Sequence, residues 1–167
     1  MADVKSTQAT NLTATPKVRE PSHRDGGMLR ESASTAAPAA AQADTDFIFF
    51  CRVPSKARVS QVLLSALDFT TAGAIDVGVY TYSEATGLFT AVDDDLFASA
   101  FDLSGGPFTN VDITNESTEY SVAEQEKALW EVLGLSSDPN IDYWIGSDIT
   151  TTFNGGSPIC LKVRYVL

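Results

Sequence analysis

From residue 47 onward, apolar positions alternate with polar ones or gather in short runs, the pattern of strands in a packed sheet. Residues 47–53 form an apolar run with aromatics that reads as a buried strand, and Pro54 ends it. Residues 59–66 predict a second strand. Ile75, Val77 and Val79 alternate with Asp76, Gly78 and Tyr80, which gives a period of two and one buried face. Residues 83–87 predict a loop, with 88–92 returning as a hairpin partner, and residues 111–114 alternate again. Residues 141–153 predict a long strand with Tyr143, Ile145, Ile149 and Thr151 on one face. Asn154-Gly155-Gly156 offers the positive φ of a hairpin turn. Ile159, Leu161, Val163 and Tyr165 then form the inward face of a closing strand, with Lys162 and Arg164 outward.

Two helical pieces are expected between strands. Ser121-Val122-Ala123-Glu124 is a capping box, in which the Ser hydroxyl and the Glu carboxylate satisfy free N–H groups reciprocally. Leu129, Val132 and Leu133 follow as an apolar stripe, and Gly134 is placed to cap the C-terminus in the left-handed conformation. The second piece is residues 94–101, opened by acids that favour a helix N-terminus. Seven or so short strands separated by turn residues predict an all-β fold: a jelly-roll-like β-sandwich with one or two short helices and an extended N-terminal arm.

The arm is read from composition. The nine Phe, five Tyr and two Trp all lie between Phe47 and Tyr165. Residues 1–46 have no aromatic residue and few large apolar ones, too little to build a core. Their second part, residues 32–46, is rich in Ala, Ser and Thr and reads as a linker. The expected organisation is an arm and linker over 1–46 and a β-sandwich domain over 47–167. Fully extended, residues 1–46 span about 150 Å.

Charge divides the chain in the same way. The 167 residues carry a formal net charge of −11. Lys5, Lys17, Arg19, Arg24 and Arg30 outnumber Asp3, Glu20 and Asp25, whereas residues 47–167 hold far more acids than bases. An acidic body repels phosphates, so nucleic acid is not an expected partner. No apolar stretch reaches the ~18–20 residues of a membrane span, and the start has no apolar core of a secretory signal. Asn11-Leu12-Thr13 and Asn115-Glu116-Ser117 match the glycosylation pattern, which means little without such a signal. Cys51 and Cys160 lie in two strand segments; buried thiols are the simpler expectation, and pairing needs the two strands to be neighbours.

Candidate chemistry is sparse. His23 is the one histidine and lies in the arm, which removes His-based triads and any multi-histidine metal site within one chain. No phosphate-binding loop or nucleophile-elbow motif occurs. Asp93-Asp94-Asp95 offers oxygen ligands for Ca²⁺ but lacks EF-hand spacing, and capping of the short helix explains it more simply. Glu116, Glu119, Glu124 and Glu126 could supply the paired carboxylates of a glycosidase, though a solvated acidic face is commoner. Trp130 and Trp144 could stack on sugar rings, and packing within the fold is the simpler reading. No catalytic residue, metal ligand or cofactor is assigned.

Taken in order, several segments resemble tailed-bacteriophage head decoration or cement proteins, made near the major capsid protein. In the arm these are Lys5-Ser6, Ala14-Thr15-Pro16 and Gly27-Met28-Leu29-Arg30. In the body they are Phe50-Cys51-Arg52-Val53-Pro54-Ser55-Lys56-Ala57-Arg58-Val59, Ile75-Asp76-Val77-Gly78-Val79-Tyr80 and Asp95-Leu96-Phe97-Ala98-Ser99. Leu129-Trp130-Glu131-Val132-Leu133-Gly134-Leu135, Asp138-Pro139 and the closing Leu161-Lys162-Val163-Arg164-Tyr165 complete the likeness. The resemblance implies a non-enzymatic β-sandwich that sits on the virion capsid, binds the major capsid protein and reinforces the head, as a homo-oligomer on the capsid. Its capsid-binding residues are then expected in the arm. These are Lys5, Leu12 and Pro16, the apolar anchors Met28 and Leu29, and Arg19, Arg24 and Arg30 facing coat carboxylates. A carbohydrate-binding or adhesive β-sandwich on the virion surface is the alternative; it requires exposed aromatics gathered on one face.

Overall fold

The structure is a computed structural model that describes residues 16, 27–38, 46–67, 69, 73–152 and 157–167. Its strands are β1 (Leu29–Ala36), β2 (Phe47–Pro54), β3 (Arg58–Ala66), β4 (Ala74–Ser83), β5 (Leu88–Asp102), β6 (Phe108–Asp112), β7 (Asp142–Thr151) and β8 (Ile159–Val166). One sheet has the order β1-β8-β3-β6 and the other β2-β7-β4-β5, with antiparallel neighbours throughout. Two such four-stranded sheets, with every consecutive pair of strands except β4 and β5 crossing between them, make the eight-stranded jelly roll. The fold class is therefore an all-β sandwich, as the alternation predicts.

The core lies between the sheets and is built by period-two strands. Ile75, Val77 and Val79 of β4, Tyr143, Ile145 and Ile149 of β7, and Ile159, Leu161 and Val163 of β8 are all buried in it. The Tyr120 hydroxyl donates to the Val59 carbonyl oxygen at 2.6 Å, so this buried phenol has its partner.

Four local expectations change. First, residues 32–46 are not all linker. Ser32–Ala36 belongs to β1, which pairs with β8 from Leu29↔Val166 to Ala36↔Ile159. The sandwich thus begins at residue 29, not 47. Periodicity hides this strand because its alternate half-buried positions are Ser32, Ser34 and Ala36, too small to mark a face. Backbone hydrogen bonds to β8 hold it instead.

Second, residues 94–101 are not helical; they lie in β5. Val77 pairs with Ala98 and Val79 with Asp93, so residues 94–97 bulge out against a single residue, Gly78. A Cβ at 78 would overlap the Asp93 carbonyl oxygen and the Asp94 carbonyl, so the close approach requires glycine. The bulge lets Leu96, Phe97 and Ala98 all enter the core, and pairing with β4 outweighs the local helix preference of the acids.

Third, the helical region is one short turn, α1 (Leu129–Val132). The Ser121–Glu124 box does form: the Ser121 N–H and hydroxyl both donate to Glu124 Oε2, but the residues after it make turns. Gly134 closes α1 at φ +72°, as expected. Fourth, the proposed hairpin turn at 154–156 lies outside the described residues, and β7 and β8 sit in different sheets, so their connection crosses the sandwich.

Both cysteines are free thiols. Cys51 donates to the carbonyls of Ser32 (3.4 Å) and Leu161 (3.6 Å), and burial pushes its thiol pKa up.

Candidate functional site

Three surface regions carry the chemistry: the start of β1, the outer face of the second sheet, and the bulge of β5.

At the start of β1, Met28 and Leu29 are 68% and 61% exposed, and Arg30 is exposed beside them. Apolar side chains standing this far out do not serve the core of their own subunit. Pro16 is exposed, while Lys5, Leu12, Arg19 and Arg24 lie outside the described residues. The structure thus brings together three of the eight arm residues, in one run leading into the edge strand. Nearby, Arg164 Nε donates to Glu31 Oε2 at 2.8 Å and holds the Glu31 carboxyl below its usual pKa.

The outer face of the second sheet is aromatic. Phe47 and Phe49 alternate with buried Ile48, Tyr80 and Tyr82 follow Val79, and Trp144 sits between Tyr143 and Ile145. None of these five outward rings belongs to the core between the sheets. Phe49 stacks on Phe89 (centroids 3.6 Å apart), Tyr80 meets Phe49 edge-on (5.2 Å), Tyr82 tilts against Phe89 (4.8 Å), and Phe89 meets Trp144 at 88° (5.5 Å). Gly146 makes room for this layer, because a Cβ there would press on the Phe49 ring at 2.8 Å. Tyr80 is only 1% exposed, its hydroxyl has no hydrogen-bond partner among the described residues, and burial raises its pKa.

Two clefts open on this face. One, of about 340 Å³, is lined by Phe47, Phe49, Tyr80, Leu88, Phe89 and Ala91. The other, of about 370 Å³, is lined by Arg52, Tyr82, Glu84, Ile141, Asp142 and Trp144. In the second, Arg52 donates to Asp142 Oδ2 at 2.8 Å and its guanidinium carbon lies 5.8 Å from the Trp144 ring centre. Trp144, expected within the fold, is half-buried on its outside; Trp130 is half-buried on α1.

At the β5 bulge, Asp93, Asp95 and Glu119 bring one carboxylate oxygen each within 4.8 Å of one another. Among the described residues these are the acids spaced to hold a hard cation. The helix-capping explanation of the run fails, since no helix forms there. Burial, then repulsion from Glu119, Asp95 and Asp94, raises Asp93 to a pKa of about 6. Two of the other glutamates are otherwise engaged: Glu116 Oε2 accepts the Ser99 N–H at 2.8 Å, and Glu124 accepts from Ser121 and Lys127.

No family model matches the chain. No curated protein matches it either. Among solved structures, a chain of the cyanophage Pam1 capsid asymmetric unit superposes with a TM-score of 0.55 at 17% identity, over 100% of this chain and 99% of that one. At this identity the likeness establishes a shared fold.

Proposed function

We propose that this chain is a non-enzymatic virion structural protein, a cement or decoration protein that binds the major capsid protein through the residues ahead of and at the start of β1. The observation that carries the reading is the end-to-end structural likeness to a chain of a phage capsid. Exposed Met28 and Leu29 on the leading edge of the sandwich support it, since they offer apolar anchors at the point where the basic N-terminal residues join the domain. Lys5, Arg19, Arg24 and Arg30 would meet coat carboxylates, and Leu12 and Pro16 would add apolar contact. Ordering a segment on binding costs entropy, so each copy gains a modest surplus. Many copies on a closed lattice multiply that surplus, which is how such a protein reinforces a shell. The reading requires no catalytic group and no cofactor.

The test is co-sedimentation with assembled particles through a density gradient. The expected result is a constant ratio of this chain to coat protein across the particle peak. Its absence from washed particles contradicts the proposal.

A further inference from the structure

The cleft between β2, β4 and β7 has a chemistry that capsid attachment at β1 does not use. We propose that it binds a neutral saccharide, with one pyranose ring lying on Tyr82 and its hydroxyls held by Arg52, Asp142 and Glu84. The inference stands independently of the capsid reading, because it rests on a different face.

Four observations combine. Tyr82 is 45% exposed at the rim, a broad ring face available to the C–H face of a sugar. Arg52 is already positioned: Asp142 holds its guanidinium at 2.8 Å and Trp144 supports it by a cation–π contact. Trp144 is itself fixed edge-on by Phe89. An arginine fork has five N–H donors, of which the bond to Asp142 uses one, and the Asp142 and Glu84 carboxylates are acceptors. A polyol, with every hydroxyl both donor and acceptor, matches such a set. The volume of about 370 Å³ falls in the ~300–1,000 Å³ range of small-ligand clefts.

Charge decides the class. The cleft has one base against two acids, and the surrounding body is strongly acidic, so phosphates and acidic sugars are repelled. A folded protein partner needs about 800 Å² per side, more than this polar-rimmed cleft presents. A neutral sugar fits without either penalty.

The experiment titrates the full chain with neutral di- to hexasaccharides of glucose, galactose, mannose and N-acetylglucosamine, with polygalacturonate as the acidic control. Tryptophan fluorescence and saturation-transfer NMR are the readouts. At least one neutral series should bind and polygalacturonate should not. Tyr82→Ala and Arg52→Ala should each weaken binding at least about tenfold, whereas Tyr82→Phe, which keeps the ring, should stay within about twofold. Both positions are exposed, and circular dichroism checks that each variant remains folded. Silence from every neutral series, equal binding of polygalacturonate, or unchanged binding by Tyr82→Ala overturns the proposal. Loss of particle attachment by Tyr82→Ala with no sugar response also overturns it and assigns the face to coat protein.

Discussion

The two sheets share one core but turn opposite chemistries outward. On the first sheet the outer face is polar and cross-linked: Lys162 reaches Asn110, Arg164 reaches Gln61 and Glu31, and Gln61 reaches Asp112. On the second sheet the matching positions are Phe49, Tyr80, Tyr82, Phe89 and Trp144, packed ring on ring. A polar outer face is at home in water. An aromatic face that still exposes Phe47, Tyr82 and Leu88 is poised for contact. The difference teaches that burial on this molecule is not confined to its core: Tyr80 is as buried as a core residue while lying on the outside of a sheet.

The strongest way to break this comparison is at Tyr80. Tyr80→Ala should cost about 3 kcal/mol in urea unfolding, a core-like penalty from an outward position. Tyr80→Phe should leave stability unchanged or raise it by up to about 1 kcal/mol, because the hydroxyl it removes is buried with no partner among the described residues. A cost below about 1 kcal/mol for the alanine would make the aromatic layer an ordinary surface. Next in size, Gly78→Ala should cost about 1–3 kcal/mol, since the new Cβ meets backbone and not a movable side chain.

A smaller effect comes from pH. Asp93 sits at about 6 in the folded chain against 3.8 unperturbed, so the folded state binds its proton more tightly than the unfolded one. Stability therefore rises as pH falls from 7 through 6 towards 4, and the gain is complete below the unfolded pKa. Glu31, Asp102, Glu124 and Asp138 have lowered values and act the other way only at more acid pH. Thermal melts should show a higher melting temperature at pH 5 than at pH 7, and Asp93→Asn should reduce that rise, leaving the part due to Asp76, whose carboxyl pKa burial also raises. The smallest effect belongs to the polar face. Glu31→Ala should lower the melting temperature only slightly, and by less still in high salt, since the pair with Arg164 is solvent-exposed.

How much of this is legible in the sequence follows from side-chain size. β4, β7 and β8 declare themselves because large apolar residues alternate at period two, and Gly134 declares the end of α1. β1 is silent because Ser32, Ser34 and Ala36 bury little, so only the ladder with β8 reveals it. The β5 bulge misleads because three acids in a row imitate a helix start, while the cause of the bulge is Gly78 on another strand. The aromatic face was within reach: the outward positions Phe49, Tyr80, Tyr82 and Trp144 fall on three strands expected from the apolar run at 47–53 and from the alternation around 75–80 and 141–153. What sequence could not supply was strand order, which places β2, β7, β4 and β5 side by side. Of the arm residues, Leu29 and Arg30 open an edge strand that no periodicity foretold, with Met28 just ahead of it.

The central claim is that the chain works by adhesion through its leading segment. Because the sandwich starts at Leu29, the cut that tests it falls after residue 28. Truncated and full-length chains should be mixed with particles lacking this protein and pelleted after washing. The account predicts that the chain lacking residues 1–28 melts within about 0.5 kcal/mol of the full-length protein yet is lost in the wash, while the full-length chain pellets at a fixed ratio to coat protein. Equal retention of the two would contradict it.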